Sequence, residues 1–496
     1  MNGKGKENRT KKKDRKKRFL SWILAAVMAI PSLIPAYAKP EWPNGPALES
    51  ESGIVVDMDS GTVLFGQYIH EKKAPASITK LLTALVVIER ADLDAEVIFS
   101  HDAVYNVESG SGNKMAMEEG DRLTVRDCLY LLLLQSSNQA ANALAEHVAG
   151  TRDGFVELMN QKVAELGCTN TQFANPSGLN DERQYTTAYD MSLIGMAAFK
   201  NPVLLEIDST KKYTIPATIN NPDGRTFQME HKLLITEDEA SENYYPAAKA
   251  GKTGYTSIAG QTLVTYAEKD GKRLVAVTLR SRKKTHYSDT KLLLEFGFQH
   301  FHHVNISENE TSWVTGEEPL LAGGETYQPS ELFIDKESVI TLPGEAVFAD
   351  GEKRLVTELL ENHPEQAVAK IEYTYNDRKI GSAWICTTRD MAAQTSGEPE
   401  DQTSGSQSNA SKSPEKEKPG VFSKFHMPSA AVLVVAAVIL CAVLGTGGFF
   451  WYRKKQKEEQ ERQRVRREKR RKRLEEIGYT EEEFANMMSR KREERV

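Results

Sequence analysis

The spacing of hydrophobic residues changes more than once along the first 300 residues of the chain. Apolar residues recur with the period of an amphipathic helix in residues 77–89, 125–134 and 140–149. Apolar and polar residues alternate, as in strands, in residues 53–65, 259–267 and 273–280. The last two segments flank Lys269-Asp270-Gly271-Lys272, which is typical of a hairpin turn. Helices enclosed by strands in this way predict a domain of mixed helices and strands.

A second alternating region follows this domain. Residues 332–343, 367–375 and 379–387 alternate apolar with polar side chains and are rich in Ile, Val, Thr and Tyr. They predict a small all-β domain over residues 304–390. Residues 391–428 are mostly Ser, Gln, Glu, Thr, Lys, Gly and Pro, a composition that buries too little apolar surface to offset the entropy of ordering. We expect a disordered stalk there.

An apolar stretch near the amino terminus indicates export. Residues 19–30 are apolar and follow a run of basic residues, and Ala36-Tyr37-Ala38 has the small-x-small form of a cleavage site. We therefore expect a signal peptide over residues 1–38 and a mature chain that starts near Lys39. The alternative is an uncleaved amino-terminal anchor.

Residues 429–452 are apolar and carry no charge, and an aromatic cluster ends the segment. This length and composition predict one transmembrane helix. Arg453, Lys454 and Lys455 follow at once, so the positive-inside rule places the basic tail, residues 453–496, in the cytoplasm. We expect a single-pass protein of the cell membrane whose folded domains lie outside the cell.

Composition excludes several other classes of protein. The net charge is -6, and because basic residues concentrate at both ends, the part between them is acidic. We therefore expect no nucleic-acid partner. The four cysteines are too few for a disulfide framework in a chain of 496 residues. His300, His302 and His303 have no carboxylate or cysteine at ligand spacing, so we predict neither a metal nor another cofactor.

The first candidate catalytic motif is Ser77-Ile78-Thr79-Lys80, at the start of the predicted helix 77–89. A serine and a lysine three residues apart share one face of a helix, so the Lys80 amine can reach the Ser77 hydroxyl. Such a lysine can act as a general base once burial or a second cation lowers its pKa. The pattern alone is weak evidence, because a serine at a helix start is usually an N-cap.

The second motif is Ser136-Ser137-Asn138, between an apolar run and the next predicted helix. The Ser136 hydroxyl and the Asn138 amide can relay a proton and hold a substrate amide. The alternative is a polar helix cap. Ser111-Gly112-Asn113 has a similar sequence, but it lies in a glycine-rich stretch with no helix after it, and we expect it to be unrelated to function.

The third motif is Lys252-Thr253-Gly254. With Gly251 it resembles the end of a phosphate-binding loop, but Pro246 stands where that loop requires a glycine, and a hairpin rather than a helix follows. On a strand, Lys252 and Thr253 offer a cation and a hydroxyl to an anionic group. Gly254 leaves room for the backbone of a ligand.

In this order, behind a signal peptide, the three motifs resemble those of the penicillin-binding proteins and active-site-serine β-lactamases. Within that superfamily the chain is most similar to the secreted, membrane-anchored serine-type D-alanyl-D-alanine carboxypeptidases. Further segments that look like family signatures are residues 57–64, 75–77, 173–179, 189–191 and 252–256. The resemblance covers residues 45–300 and implies an α+β, β-lactamase/transpeptidase-like catalytic domain there, with an antiparallel sheet flanked by helices. It further implies a β domain after it and one carboxy-terminal transmembrane helix.

The resemblance also implies a reaction, the hydrolysis of peptidoglycan stem peptides that end in D-Ala-D-Ala. Ser77 is expected to attack the peptide carbonyl and form an acyl enzyme while Lys80 takes its proton. Ser136 is expected to pass a proton to the leaving D-alanine. β-Lactam antibiotics are expected partners of the same serine, and the implied role is in cell wall biogenesis and cell shape.

Substrate-binding roles follow from the same resemblance. Asn138 is expected to hydrogen-bond the substrate amide, Lys252 to add positive potential and Thr253 to bind the terminal carboxylate. The backbone N–H groups of Ser77 and Tyr255 are expected to form the oxyanion hole.

The chain departs from the family pattern beside the second motif. Ser137 stands where the family usually has Gly or Ala, and Gln139 where it often has Asp, so substrate preference is in doubt more than the chemistry. A serine β-lactamase is the enzymatic alternative, although the Glu-x-x-Leu-Asn sequence of the class A enzymes is missing. A wall-associated scaffold that is acylated but does not turn over is the other alternative.

Overall fold

The computed structural model describes residues 39–107, 111–359 and 363–389. Over these residues, no helix is both long and apolar enough to cross a membrane. Four predicted segments lie outside the described residues and stay predictions: the signal peptide 1–38, the stalk 391–428, the transmembrane helix 429–452 and the tail 453–496.

Strands and helices alternate along the larger domain, whereas strands dominate the smaller one. The strands are β1 (Ser52–Asp57), β2 (Val63–Gln67), β3 (Glu96–Ile98), β4 (Arg122–Thr124), β5 (Lys212–Ile215), β6 (Arg225–Gln228), β7 (Ala248–Thr256), β8 (Gly260–Lys269), β9 (Lys272–Ser281), β10 (Phe301–Asn305), β11 (Leu320–Ala322), β12 (Glu325–Tyr327), β13 (Leu332–Ile334), β14 (Val339–Pro343), β15 (Glu352–Val356), β16 (Ala367–Tyr375) and β17 (Arg378–Thr387). The α-helices are α1 (Lys80–Arg90), α2 (His101–Tyr105), α3 (Val125–Leu134), α4 (Asn138–Ala149), α5 (Arg152–Glu165), α6 (Ala188–Lys200), α7 (Pro202–Ser209), α8 (Lys232–Ile235), α9 (His286–His300) and α10 (Ile306–Asn309). Short 3₁₀ helices span Ala76–Thr79, Pro329–Glu331 and Phe348–Asp350.

Five antiparallel strands form the central sheet of the larger domain, in the order β2-β1-β9-β8-β7. Both faces of this sheet are covered, and β1 is buried along its whole length. Ile54 packs on one face, in the same core as Leu81 and Leu85 of α1. Val55 packs on the other face, in the same core as Leu293 of α9. Because successive side chains of a strand point to opposite faces, this two-sided burial explains why β1 is apolar at consecutive positions.

The second motif lies where α3 ends and α4 begins, and local sequence fixes both helices. Asp127 and Thr124 form a capping box at the start of α3, which spans the residues predicted for it, 125–134. The hydroxyl of Ser137 caps α4 by accepting the N–H of Ala140 at 3.1 Å. Such a cap is typically worth about 1 kcal/mol. The short link between the two helices holds Ser136 at a positive φ of 57°.

The smaller domain is built on a six-stranded sheet. Five strands follow one another in the order β10-β14-β17-β16-β15, and β13 pairs with β17. The predicted strand over residues 332–343 is interrupted: β13 and β14 are separated by residues 335–338, where the Asp335 carboxylate accepts a hydrogen bond from the Ser338 hydroxyl at 2.9 Å. The core of the sheet is aliphatic and aromatic, and includes Ile340, Ile371, Tyr373, Tyr375 and Ile385.

Polar and aromatic contacts join the two domains. Helix α9 of the larger domain ends at His300, and β10 of the smaller domain begins at the next residue, Phe301. The hydroxyls of Ser60 and Thr341 lie 2.7 Å apart across the junction. The indole ring of Trp42, in the amino-terminal segment, packs with its centroid 4.9 Å from that of Phe301.

Candidate active site

Lys80 connects three segments of the chain in the larger domain. Its side chain is fully buried. Its Nζ donates to the hydroxyl of Ser77 at 3.1 Å, to Oδ1 of Asn138 at 2.8 Å and to the carbonyl oxygen of Ser177 at 2.5 Å. The first two motifs predicted from the sequence therefore meet at a single amine.

The surroundings of Lys80 disfavour its charged form. Burial and, next, the positive charge of Lys252 hold the pKa of the Lys80 amine well below its usual value, and Lys114 acts in the same direction while Glu230 opposes them. An amine with a lowered pKa is neutral in a larger fraction of molecules, and a neutral amine can accept the proton of the Ser77 hydroxyl. The site thus has a nucleophile and a base in hydrogen-bond contact.

Ser77 lies in the 3₁₀ turn that precedes α1, and strand β7 packs against this turn. A Cβ added at Gly254 would lie 2.9 Å from the backbone nitrogen of Ser77, so a larger residue does not fit there. The hydroxyl of Thr262 on the neighbouring strand donates to the carbonyl of Pro75 at 2.9 Å. The glycine of the third motif is therefore needed for the approach of β7 to the nucleophile.

Lys252 and Thr253 extend the site along β7. Lys252 is 1% exposed, and its Nζ donates to the carbonyl oxygen of Thr253 at 3.0 Å. Thr253 is half-buried, and Tyr255 is largely exposed. Lys252 thus acts on the cleft mainly through its charge, whereas Thr253 and Tyr255 reach the cleft surface.

The cleft itself has a volume of about 970 Å³ and is open to solvent. It is lined by residues of all three predicted motifs, Ser77, Ser136, Asn138, Thr253, Gly254 and Tyr255. The predicted residues therefore converge on one cleft, with Lys80 and Lys252 buried beside it. A cleft with a serine, an adjacent amine and a row of polar groups along an edge strand can carry out acyl transfer to the serine.

The carbonyl of Ser177 is a partner of Lys80 that local sequence reasoning missed. The sequence indicates residues 173–179 only through the family resemblance. In the structure, Asn175 Oδ1 accepts the N–H of Gly178 at 2.8 Å, a turn that presents the Ser177 carbonyl to the amine. Gly178 has a φ of +82°, and a Cβ there would lie 1.9 Å from the carbonyl oxygen of Ala76. The Asn-Pro-Ser-Gly sequence was the available signal for this turn.

The similar sequence Ser111-Gly112-Asn113 has a different environment. Asn113 bonds its own loop, with Oδ1 accepting from the N–H of Met117 at 3.1 Å and Nδ2 donating to the carbonyl of the same residue at 2.7 Å. Ser111 nevertheless lines the cleft. Asn113 is thus a structural residue of the loop, while Ser111 contributes to the wall of the cleft.

A cluster of possible metal ligands lies at the domain junction, away from the cleft. Asp57, Asp59 and His303 bring one ligand atom each to within 4.8 Å of one another. Their atoms already have protein partners: Asp57 accepts from the Ser60 N–H at 2.9 Å and contacts His303, and Asp59 pairs with Arg273. The sequence spacing hid the carboxylate beside His303, because 246 residues separate it from Asp57. These contacts account for the cluster, and we propose no metal there.

The fold and the site define an active-site-serine hydrolase with a penicillin-binding, transpeptidase-like catalytic domain. The family model of the D-alanyl-D-alanine carboxypeptidases, peptidase family S11, matches residues 39–283. Together with the relatives described next, this match shows that the chain belongs to that family.

Two curated relatives and one solved structure illustrate the similarity. The chain is 32% identical over 302 residues to D-alanyl-D-alanine carboxypeptidase DacF of Bacillus subtilis, covering 60% of this chain and 75% of the relative. It is 36% identical over 262 residues to DacB2 of Mycobacterium tuberculosis, covering 52% and 84%. The crystal structure of penicillin binding protein 6B from Escherichia coli matches 71% of this chain and 99% of its own, with 26% identity and a TM-score of 0.52.

Proposed function

We propose that this protein is a serine-type D-alanyl-D-alanine carboxypeptidase that removes the terminal D-Ala from peptidoglycan stem peptides. The observation that carries the proposal is the triple contact of Lys80, whose buried amine touches Ser77 and Asn138 of two separate motifs. A base beside a nucleophile is what acyl transfer requires. Membership of the family supports the choice of a D-Ala-D-Ala substrate.

Acylation begins when neutral Lys80 accepts the proton of the Ser77 hydroxyl. The Ser77 oxygen then attacks the carbonyl carbon between the two D-alanines, and the backbone N–H groups of Ser77 and Tyr255 stabilise the oxyanion. One such donor is commonly worth about 3 kcal/mol. The C–N bond breaks as the proton passes from Lys80 through Ser136 to the amine of the leaving D-alanine.

Deacylation reverses the order of these proton transfers. Water attacks the ester carbonyl of the acyl enzyme and gives a proton to Lys80, and the Ser77 oxygen recovers that proton as it leaves. One water is consumed and one peptide bond is cleaved. β-Lactams acylate the same serine because they present a strained amide to it.

The substrate is held by the polar groups along the cleft. Asn138 binds the amide of the acyl part of the substrate, and Thr253 binds the terminal carboxylate in the positive potential of Lys252. The missing side chain of Gly254 lets β7 lie against the turn that carries Ser77, so that Thr253 and Tyr255 stand beside the nucleophile, whereas the sequence alone predicted a ligand backbone in that space. We further propose that the protein sits in the cell membrane by its segment 429–452, with the catalytic domain on the outer face.

Release of free D-alanine from a peptide that ends in D-Ala-D-Ala tests the proposal. The purified protein is compared with its Ser77→Ala variant and with Ser111→Ala as a matched control, since Ser111 also lines the cleft but its hydroxyl has no hydrogen-bond partner among the described residues. We expect release and penicillin labelling from the wild type and the control, and neither from Ser77→Ala.

Two other outcomes identify the alternatives. Rapid hydrolysis of penicillin without release of D-alanine indicates a serine β-lactamase. Stable labelling by penicillin without turnover of any peptide indicates a scaffold. Labelling that persists in Ser77→Ala contradicts the assignment of the nucleophile.

A further inference from the structure

Asp208 is a buried carboxylate directly behind the third motif. It lies in the last turn of α7 and is fully buried. Its Oδ2 accepts the backbone N–H of Gly251 at 2.7 Å, whereas its Oδ1 has no hydrogen-bond partner. Since Gly251 immediately precedes Lys252, this one hydrogen bond ties the carboxylate to the strand that carries the buried cation.

The backbone at Gly251 has little freedom to move. A Cβ there would lie 2.4 Å from the carbonyl oxygen of Val264 on β8 and 2.9 Å from the ring of His231. That ring is itself held, because Nε2 of His231 lies 2.8 Å from the hydroxyl of Thr265. Asp208 therefore contacts a closely packed segment of β7 directly.

Lys252 needs a negative partner to stay charged where it is. A buried ammonium is costly without a counter-charge. Of the charged groups that face it, Lys80 and Lys114 are cations, and Glu230 is bound by Lys114 at 2.5 Å. His231 supplies no charge, because burial and, next, the charge of Lys252 lower its pKa to about 3. Besides Glu230, Asp208 is the carboxylate in the described part of the chain that acts on the Lys252 charge, and Lys252 is the cation that acts on Asp208.

We propose that Asp208 is a positioning residue that keeps Lys252 charged and holds β7 in register, so that Lys252 and Thr253 can receive the terminal carboxylate of the substrate. This inference rests on the proposed function for the identity of that carboxylate. It assigns a role to a residue that lies outside all three motifs. Asp208 does not touch the substrate, and its effect passes through the charge of Lys252 and the N–H of Gly251.

The titration behaviour of the two residues agrees with this pairing. Burial lowers the pKa of the Lys252 amine, and the negative charges of Glu230 and Asp208 counteract that effect. Burial raises the pKa of the Asp208 carboxyl to about 7, and the charge of Lys252 and the Gly251 N–H keep it from rising further. Removing either charge therefore favours the neutral form of the other.

The first experiment separates the charge of Asp208 from its hydrogen bond. Asp208→Asn keeps an oxygen for the Gly251 N–H but removes the charge. Charged Lys252 is needed to attract the substrate carboxylate, and without Asp208 it loses its proton more readily. As the pH is raised, kcat/KM of the variant is therefore expected to begin its alkaline decrease at a lower pH than kcat/KM of the wild type, mainly because KM rises. The loss should be roughly tenfold larger at the alkaline than at the acid end of the profile.

A second substrate and a control variant make the readout specific. With a peptide that ends in D-Ala-D-Ala amide, which has no terminal carboxylate, Asp208→Asn should lose much less activity than with the free acid. Asp289→Asn is the matched control, since Asp289 is equally buried and also accepts a backbone N–H, that of Ser50 at 2.7 Å. Asp289→Asn should leave the pH dependence of kcat/KM unchanged. An Asp208→Asn variant with an unshifted profile and unchanged acid-to-amide preference overturns the proposal.

Thermal unfolding tests the pairing without reference to activity. Lys252→Met leaves Asp208 buried without its cation, so we expect the double variant Lys252→Met/Asp208→Asn to unfold at a higher temperature than Lys252→Met alone. A double variant that is no more stable than Lys252→Met overturns the pairing. A double variant that does not fold at all overturns it as well. If the wild type releases no D-alanine, the proposed function fails, while this comparison still decides whether the two charges interact.

Discussion

His303 Nε2 lies 2.6 Å from Asp57 Oδ2, and this contact links the first strand of the smaller domain to the first strand of the central sheet. Burial disfavours the charged form of His303, but the hydrogen bond that His303 donates to Asp57 and the charges of Asp57 and Asp59 outweigh it, so the pKa of the imidazole is raised above its ordinary value. The joint between the domains is therefore strongest when His303 is protonated.

This relationship predicts a dependence of stability on pH. A group with a raised pKa in the folded protein stabilises it fully below its unfolded pKa, and the contribution is lost as the pH rises through the folded value. His303→Gln should therefore be less stable than the wild type at pH 5.5, by about 1 to 3 kcal/mol for a hydrogen bond to a charged group. The difference should shrink toward pH 9.

Unfolding temperatures of the two proteins, measured across this pH range, check the prediction. His302→Gln is the matched control, because His302 is the neighbouring half-buried histidine on the same strand. A difference between wild type and His303→Gln that stays constant with pH contradicts a charged contact with Asp57.

Lys80 should be irreplaceable by another cation. In Lys80→Arg the charge stays, but a guanidinium does not deprotonate in this range and cannot accept the Ser77 proton. We expect the rate of acylation by penicillin to fall by at least about 100-fold, the usual contribution of a general base. Lys73→Arg, at a lysine that is 10% exposed and pairs with Glu51 and Glu71, should acylate at the wild-type rate. Equal rates in the two variants count against Lys80 as the base.

The two neighbouring serines of the second motif should separate stability from chemistry. Ser137→Ala loses the cap on α4 and should cost about 1 kcal/mol of unfolding free energy with little change in turnover. Ser136→Ala removes the proposed proton relay and should lower kcat by about 100-fold or more with unchanged stability. Paired measurements of unfolding and of D-alanine release test this division, and a reversed pattern rejects it.

Gly178 should tolerate no side chain. In Gly178→Ala the new Cβ would meet the Ala76 carbonyl at 1.9 Å, so the turn that holds Ser77 and the Ser177 carbonyl must shift. We expect a loss of about 2 to 4 kcal/mol in unfolding free energy and slow acylation.

Gly61→Ala is the control for the effect of backbone conformation alone. Gly61 has a comparable φ of +72° but no atom within 4 Å of the added Cβ. It should cost only about 1 to 2 kcal/mol and acylate normally. Similar losses in both variants would show that strain, rather than contact with Ala76, decides the effect.

The sequence predicted the elements that are specified locally. Helix α3 has the predicted bounds because an apolar run follows a capping box, and both signals lie within a few residues of each other. The start of α1 differs from the prediction, since residues 76–79 form a 3₁₀ turn in which Ala76 has a φ of +53°. That geometry is imposed by the packing of β7 and Gly178 against the turn, which no local pattern records.

The same distinction holds for the site. Ser77, Lys80, Asn138 and Thr253 stand in short motifs, and the structure brings them to one cleft. The Ser177 carbonyl contacts Lys80 although 97 residues separate the two in the chain. Every residue has a backbone carbonyl, so the identity of residue 177 could not indicate this contact. Asp208 lies in helix α7, and no motif distinguishes its carboxylate in the sequence. Its role depends on a contact with Gly251 that only the fold creates.

The contacts of Lys80 also determine when the enzyme becomes reactive. Its amine is enclosed by the 3₁₀ turn, α4 and the Ser177 turn, and the charge that lowers its pKa further is on Lys252 of β7. In a nascent or unfolded chain the lysine keeps its ordinary basicity, and the serine is as inert as any other. On the proposed mechanism, covalent capture of penicillin therefore requires the completed fold of the catalytic domain.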